Sequence, residues 1–311
     1  MVQAQANTDS SNTSGKLLVV AALTCFNRKP LTLDCLTALK ASADRAGVAL
    51  HAIVVDDAST DGTADAVKRS FDWVDVLAGS GALYWNRGMH LGFARALQQR
   101  ADHYLWLNDD TLLLPDGLQR LLNQAGALQQ AQGQPVIVVG ATTDASGRVS
   151  YGGSVALSRF RRFSYRPVWS EHRPMACDVM NGNCVLIPRE VALRVGNLDP
   201  VFEHAMGDTD YALRARRAGY RLYVAAGIVG RCSNNPAKGT FNDRSLPLAR
   251  RWQLMLARKG LPWRSWLRFT RKHGGVMWPA YFTWPYAKLI LTAMRPAGAR
   301  PAIEESVTKA P

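Results

Sequence analysis

Two short runs place paired carboxylates directly behind apolar segments: Asp56 and Asp57 follow Val54 and Val55, and Asp109 and Asp110 follow Trp106, Leu107 and Asn108. Adjacent carboxylates repel, and burying two unpaired charges is costly, so each pair needs a partner. A divalent cation is the simplest one. Mg2+ or Mn2+ held by one or two carboxylates keeps coordination positions free for phosphate oxygens, a combination that points to a nucleotide diphosphate. Taken alone, Asn108 to Asp110 could equally cap a helix or form a turn, since Asn and Asp favour both.

The elements around these runs must position them. Residues 17–24 (LLVVAALT) form an unbroken apolar run that fits a strand buried on both faces, and it ends at CFNRKP. A helical pattern over 31–47 follows, closed by Gly47. Residues 49–55 repeat the strand and deliver Asp56 and Asp57 at its exit, and 61–71 reads as a helix opened by Asp61 or Thr63. A weak strand at 73–78, a helix over about 87–100 and a strand at 103–107 continue the alternation. Strand and helix alternating at this spacing predict a mostly parallel, Rossmann-like α/β sheet with helices on both faces, and ligands bind such sheets outside the carboxyl ends of the strands. Thr24 to Arg28, Asp56 with Asp57, and Asn108 to Asp110 would then converge on an acidic crevice beside an arginine.

After about residue 135 the rhythm changes. PVIVVGAT is another strand, SGRVSYGGSVAL reads as a hairpin with glycine turns, and SRFRRFSYRPVW as a basic loop able to fold over a substrate. Residues 178–196 read as strand then helix, and 211–230 as helix, a stop at Gly219, then strand. The expected organisation is a loose tail at 1–15, a domain at 16–240 with halves at about 16–115 and 135–240, and a basic extension at 241–311.

The net charge of +14 is concentrated in that extension: residues 244–300 hold twelve Lys or Arg and no Asp or Glu, together with five of the nine tryptophans. Basic residues mixed with Trp and Tyr suit an anionic membrane surface, and a nucleic-acid surface would use the same ingredients. Residues 278–294 are too short to span a bilayer and contain Pro279, Pro285 and Lys288. The polar residues 1–15 lack the apolar core of a secretory leader. Five cysteines without metal-ligand spacing read as reduced, buried side chains of a cytoplasmic protein.

VVDDASTDGT (54–63) followed by LWLNDDTLLLPDGL (105–118) resembles the family 2 inverting glycosyltransferases of GT-A fold. YGGSVAL, MNGNCVLIPREVALRVGNLD and GDTDYALRARRAGYRLYVAAG continue the resemblance in order over about residues 17–230, and GSGALYWNRGM is similar to rhamnosyltransferase-like and polysaccharide-assembly members. The resemblance implies roles by position. Thr24, Phe26 and Arg28 border the nucleotide; Asp56 and Asp57 contact base and ribose; Asn86, Arg87 and Gly88 form a loop lining the nucleotide-sugar site. Asn108, Asp109 and Asp110 match the DXD-type motif with Asn in place of the first Asp, Asp110 the metal ligand and Asp109 a second ligand or a contact to the sugar or ribose. Asp208 matches the catalytic aspartate, with Gly207 where Glu is common. Asn181, Gly182, Asn183 and His204 are acceptor-side candidates. Asp210 and Arg214 either support the site or form a helical i,i+4 ion pair of little consequence.

The resemblance therefore implies transfer of a sugar from a nucleotide-diphosphate donor, with Mg2+ or Mn2+, to a lipid-linked or glycan acceptor at the inner membrane face, without a nucleic-acid partner. dTDP-rhamnose is the first donor expected, with UDP and GDP sugars open. A nucleotidyltransferase would share the sheet and carboxylates but needs a glycine-rich triphosphate loop that TCFNRKP lacks. A non-catalytic basic binder would leave the acidic residues unexplained.

Overall fold

The computed structural model describes residues 15–158, 161–233 and 239–293. The expected tail at 1–15 lies, except for Gly15, outside the described residues, as does the end of the extension from 294. Strand β1 (Leu18–Cys25) is followed by α1 (Lys29–Ala46), β2 (Ala49–Asp56), α2 (Thr63–Ser70), β3 (Val74–Ala78), α3 (Tyr84–Leu97) and β4 (His103–Leu107). A short β5 (Leu112–Leu113) leads to α4 (Gly117–Gln132), β6 (Ile137–Thr143), β7 (Val149–Tyr151), β8 (Gly153–Ala156), β9 (Tyr165–Val168), β10 (Met175–Cys177), β11 (Val179–Met180) and β12 (Cys184–Pro188). Then come α5 (Arg189–Val195), α6 (Gly207–Arg217), β13 (Leu222–Arg231), α7 (Leu248–Leu256), α8 (Trp263–His273), a 3-10 turn at Gly275–Met277 and α9 (Trp278–Ala293).

The main sheet runs β10-β13-β6-β12-β4-β1-β2-β3. Its nucleotide-side half, β4-β1-β2-β3, is wholly parallel, whereas β12 runs antiparallel between β4 and β6. Alternation along each strand divides the core into two layers. Val20, Ala22, Ile53, Tyr104 and Trp106 face α3, α5 and α6 through Phe93, Val191 and Tyr211. Val19, Ala21, Leu23, Leu105 and Leu107 face α1, α2 and α4 through Leu36, Val67 and Leu121. Both faces of β1 are covered, in keeping with a sequence that is apolar from Leu18 to Leu23, before Thr24 at the cleft.

The hairpin expected at SGRVSYGGSVAL is not formed as such. β7 pairs with β6 in the main sheet, and β8 pairs with β9 and β11 in a second, three-stranded sheet, so the chain changes sheets between Tyr151 and Gly153. The turn lies earlier, where Asp144 accepts from the Ser146 and Arg148 amides at 2.9 and 3.1 Å. Residues 159 and 160 of the basic segment expected to cover a substrate lie outside the described residues; its described part leads into β9 and packs on the C-terminal helices. Phe163 meets Phe269 edge-on at 5.2 Å, and Arg162 donates to the His273 carbonyl at 3.0 Å. A third apolar cluster, Phe202 with Trp266 and Phe269, joins those helices to the loop before α6.

Candidate active site

The loops leaving β1 and β2 are locked together. Asn27 Oδ1 accepts from the Thr60 amide (2.8 Å), Ser59 Oγ accepts from the Asn27 amide (2.9 Å), and Asp61 accepts from the Lys29 amide (2.9 Å) and from the Thr63 amide (3.1 Å) at the start of α2. Asp57 accepts from the amides of Gly81, Leu83 and Tyr84 at 2.7, 2.9 and 3.1 Å, fixing the loop after β3. Asp56 accepts from Ser59 at 3.0 Å. Of the five described non-glycine residues with positive φ, Asn27, Ala58, Tyr84 and Met206 stand in or next to the cleft loops, and only Arg100, before β4, lies elsewhere, a concentration of backbone strain typical of binding sites.

These strand ends open on a cleft of about 580 Å3. Thr24, Phe26, Arg28, Asp57, Asn108, Asp109 and Asp110 line one side; Asn181, Gly182, Asn183, His204 and Asp208 line the other. Arg28 bridges the acidic pair, 3.1 Å from Asp109 and 2.9 Å from Asp110. One guanidinium facing two carboxylates leaves negative charge uncompensated, and burial pushes the Asp109 carboxyl up to about 6 despite Arg28. Asn108 is oriented by Trp85, whose Nε1–H donates to its side-chain oxygen at 2.7 Å. Cys232 accepts from Asn183 Nδ2 and donates to Asp110, both at 3.3 Å. All five cysteines are buried and unpaired, and desolvation pushes the Cys232 thiol up to about 11, so it serves as a weak hydrogen-bond group and not as a nucleophile.

Opposite, Asp208 stands in the first turn of α6. Its carboxylate accepts from the Thr209 amide at 2.7 Å and the Gly182 amide at 3.2 Å. The protein walls around it raise its pKa above the usual 3.8, and those two bonds only partly offset this. Gly182 has no room for a side chain: a Cβ there would stand 2.2 Å from the Trp85 ring. Gly207 is similarly constrained, because a Cβ would fall 1.6 Å from Asn86 Oδ1. Asn86 thus accounts for the glycine where the resemblance leads one to expect Glu. His204, held below its usual pKa by burial and by Lys259, presents a ring whose Nδ1 has no partner among the described residues.

The expectation for Asn86, Arg87 and Gly88 is corrected by the structure: they lie in α3, not in a loop, and none lines the cleft. Asn86 is fully buried and its amide donates to the carbonyls of Asp199 (2.9 Å) and Phe202 (2.6 Å); Arg87 donates to Pro200 (3.0 Å), and Gly88 lies against Thr24. They hold the loop that leads to Asp208. Asp56 also stays out of the cleft lining, its carboxylate committed to its own turn. Tyr84, Trp85, Tyr151 and Lys259 line the cleft without having been singled out. Tyr84 and Trp85 belong to the GALYWNRGM run and were legible as aromatic residues behind a glycine loop; Lys259 carries no local signal, since it reaches the cleft from the basic extension.

Asp210 is not half of a surface pair. It is fully buried and meets Arg214 at 2.8 Å, Lys272 at 2.7 Å and His273 at 2.7 Å. Burial keeps His273 below its usual pKa, so the neutral ring donates Nε2–H to a carboxylate that its hydrogen bonds to His273, Lys272 and Arg214 hold near 2 against the opposing effect of burial. This hub ties α6, and with it Asp208, to α8.

An acidic wall at the carboxyl ends of parallel strands, facing a carboxylate in the first turn of α6, makes a site for a polar, phosphate-bearing ligand. Residues 21–185 match the family described as Glycosyl transferase family 2. The chain belongs to that family. It is a glycosyltransferase. Its fold is similar to that of the mannosyltransferase PcManGT from Pyrobaculum calidifontis, solved in complex with GDP-Man and Mn2+, at a TM-score of 0.53 and 19% identity over 93% of this chain and 78% of that one. TarS residues 1–349 from S. aureus, solved in complex with UDP-GlcNAc, matches at a TM-score of 0.50 and 13% identity over 71% of this chain and 60% of that one. Among curated proteins, none matches the chain.

Proposed function

We propose that this family 2 glycosyltransferase is an inverting enzyme in which Asp208 is the general base and the Asn108–Asp110 turn receives the donor diphosphate. The observation that carries the reading is that Asp208 and the Asp109–Asp110 pair line one cleft from different walls. A hydroxyl of the acceptor, held beside Asn181, Gly182, Asn183 and His204, gives its proton to Asp208 as its oxygen attacks the anomeric carbon. The bond to the diphosphate breaks on the far face, and no covalent enzyme intermediate is needed. The pKa of Asp208, raised by burial, makes its carboxylate a stronger base than a free one.

The residues fit a divalent ion. Asp109 and Asp110 supply hard oxygen donors; burial, with the neighbouring Asp110 charge adding to it, lifts Asp109 to about 6, and a cation beside the pair would offset that cost. Among the described residues no cluster of three or more His, Cys, Asp or Glu forms a complete cage, so diphosphate oxygens and water would fill the remaining positions. Asp110, with Asp109 beside it, would hold Mg2+ or Mn2+, which when bound neutralises charge on the departing diphosphate. Arg28, 45% exposed, is free to turn from the carboxylates to the phosphates. Thr24, Phe26 and Asp57 border the nucleoside.

dTDP-rhamnose remains the donor we favour, on the sequence of the GALYWNRGM run, and the acceptor is lipid-linked or a growing surface glycan. A thermal-shift series with GDP, UDP and dTDP sugars in Mn2+ tests the reading. One nucleotide should raise the melting temperature by several degrees, since a ligand at a hundred times its Kd adds about 2.7 kcal/mol, and Asp110→Asn should lose the metal-dependent part. No shift with any donor would contradict it.

We also propose that the extension rests on an anionic membrane from the cytoplasmic side. Among the described residues no helix is long and apolar enough to cross a bilayer. Trp263 and Trp284 are more than half exposed, and Arg264 and Arg271 stack on Trp263 and Trp278 at 5.3 and 5.4 Å. Aromatic rings at headgroup depth with cations beside them suit that surface. Co-sedimentation with phosphatidylserine vesicles should be strong at low salt and weaken as salt rises; equal binding to neutral vesicles, or none, would count against it.

A further inference from the structure

A second cavity, of about 550 Å3, lies between the β8–β9 pair, the last turns of α6 and the end of α8. Its wall carries Arg162, Arg216 and Arg217 against one lining carboxylate, Asp178, and shares no lining residue with the donor cleft. Asp178 pairs with Arg216 at 2.9 Å. Arg162 and Arg217 have no carboxylate partner among the described residues. They donate instead to the carbonyls of His273 and Lys272, at 3.0 and 2.8 Å. Each such bond uses one of a guanidinium's five N–H groups, so both forks keep donors for a ligand while their positions are fixed by the backbone. Fixed guanidiniums in a concave wall are the preferred receptors for phosphate oxygens.

Exposed apolar side chains stand close to residues that line this cavity. Arg162 lies against Gly275, and the next two residues of that turn, Val276 and Met277, are 94% and 55% exposed. Leu157, between the lining residues Ala156 and Ser158, is 47% exposed. Cations inside and exposed apolar side chains outside match a ligand with a phosphate head and a hydrocarbon tail.

We propose that this cavity binds the phosphate or diphosphate head of a lipid-linked acceptor. Its role as an acceptor site rests on the glycosyltransferase reading above; its capacity for a lipid phosphate does not. α6 connects the two places, with Asp208 in its first turn and Arg216 eight residues on, about 12 Å along the axis. The head is held at one end of the helix and the sugar to be extended reaches the base at the other. Asp178 and Asn181 mark the same two ends on the strand beside it.

Calorimetric titration of the full chain with farnesyl diphosphate and with inorganic pyrophosphate, each with and without saturating nucleoside diphosphate and Mn2+, tests this. Farnesyl diphosphate should bind more tightly than pyrophosphate and persist when the cleft is saturated. Arg162→Gln with Arg217→Gln should weaken it by about tenfold or more, with nucleotide binding unchanged. Because those changes also remove two bonds to α8, Asp178→Asn provides the opposite sign: taking away the lining carboxylate should tighten binding, which a folding defect cannot do. Binding insensitive to all three substitutions, or lost on saturation with nucleotide, overturns the site. Equal affinity for pyrophosphate and farnesyl diphosphate overturns the lipid assignment. Absence of any nucleotide binding by the wild type would refute the donor-cleft reading and leave this result standing.

Discussion

Asp208→Asn should lower kcat by about 10²–10⁴-fold, the range associated with loss of a general base, while donor affinity stays near that of the wild type. Steady-state kinetics beside direct nucleotide-binding measurements would separate the two, because an interaction made only in the transition state reduces kcat without weakening the ground-state complex. The wild-type rate should fall as pH drops through the Asp208 pKa, which lies above 3.8, since only the ionised carboxylate accepts the proton. Stability should move the other way. The folded state binds this proton more tightly than the unfolded chain, so ionising Asp208 costs stability as pH rises from 3.8 through the folded pKa. The Asn variant should therefore melt no lower than the wild type at neutral pH. A clear loss of stability, or retained activity, would remove Asp208 from the proposed role.

The second large effect is structural. Asp210→Ala should destabilise the protein by about 3–5 kcal/mol, because it strands Arg214 beside a buried position without its counter-charge, leaves Lys272 with Asp199 alone and removes the acceptor of buried His273. Asp210 is held near 2 in the folded protein against 3.8 unfolded, so its contribution is complete above 3.8 and is lost as pH falls towards 2. Urea unfolding of wild type and variant across that window should show the gap between them narrowing as pH falls. A change below about 1 kcal/mol at neutral pH, the range of exposed ion pairs, would mean that the hub does not hold α8 to α6.

The parallel half of the sheet was readable because β1, β2 and β4 carry apolar runs buried on both faces that end in polar residues, as Val54 to Asp57 and Trp106 to Asp110 do. The same logic led to the cleft, since strand ends on one edge of a parallel sheet must converge. What stayed hidden depended on contacts distant in sequence. Asp210 and Arg214 have the spacing of a solvent-exposed pair, and only the arrival of Lys272 and His273, some sixty residues later, buries them. Asn86 carries a binding-loop signature, yet its amide is spent on the Asp199 and Phe202 carbonyls, over a hundred residues away. The change of sheets between β7 and β8 was masked by Gly152 and Gly153, which read as a turn when the turn residues were Asp144 to Gly147. Lys259 enters the cleft from a segment whose composition speaks only of charge.

The central claim is a single displacement at the anomeric carbon, driven by Asp208 in the donor cleft. Real-time proton NMR of the first sugar product formed from the stabilising nucleotide sugar tests it most directly. Inverted anomeric configuration relative to the donor, absent with Asp208→Asn, is the predicted result; retained configuration, or the same product from the variant, would contradict it.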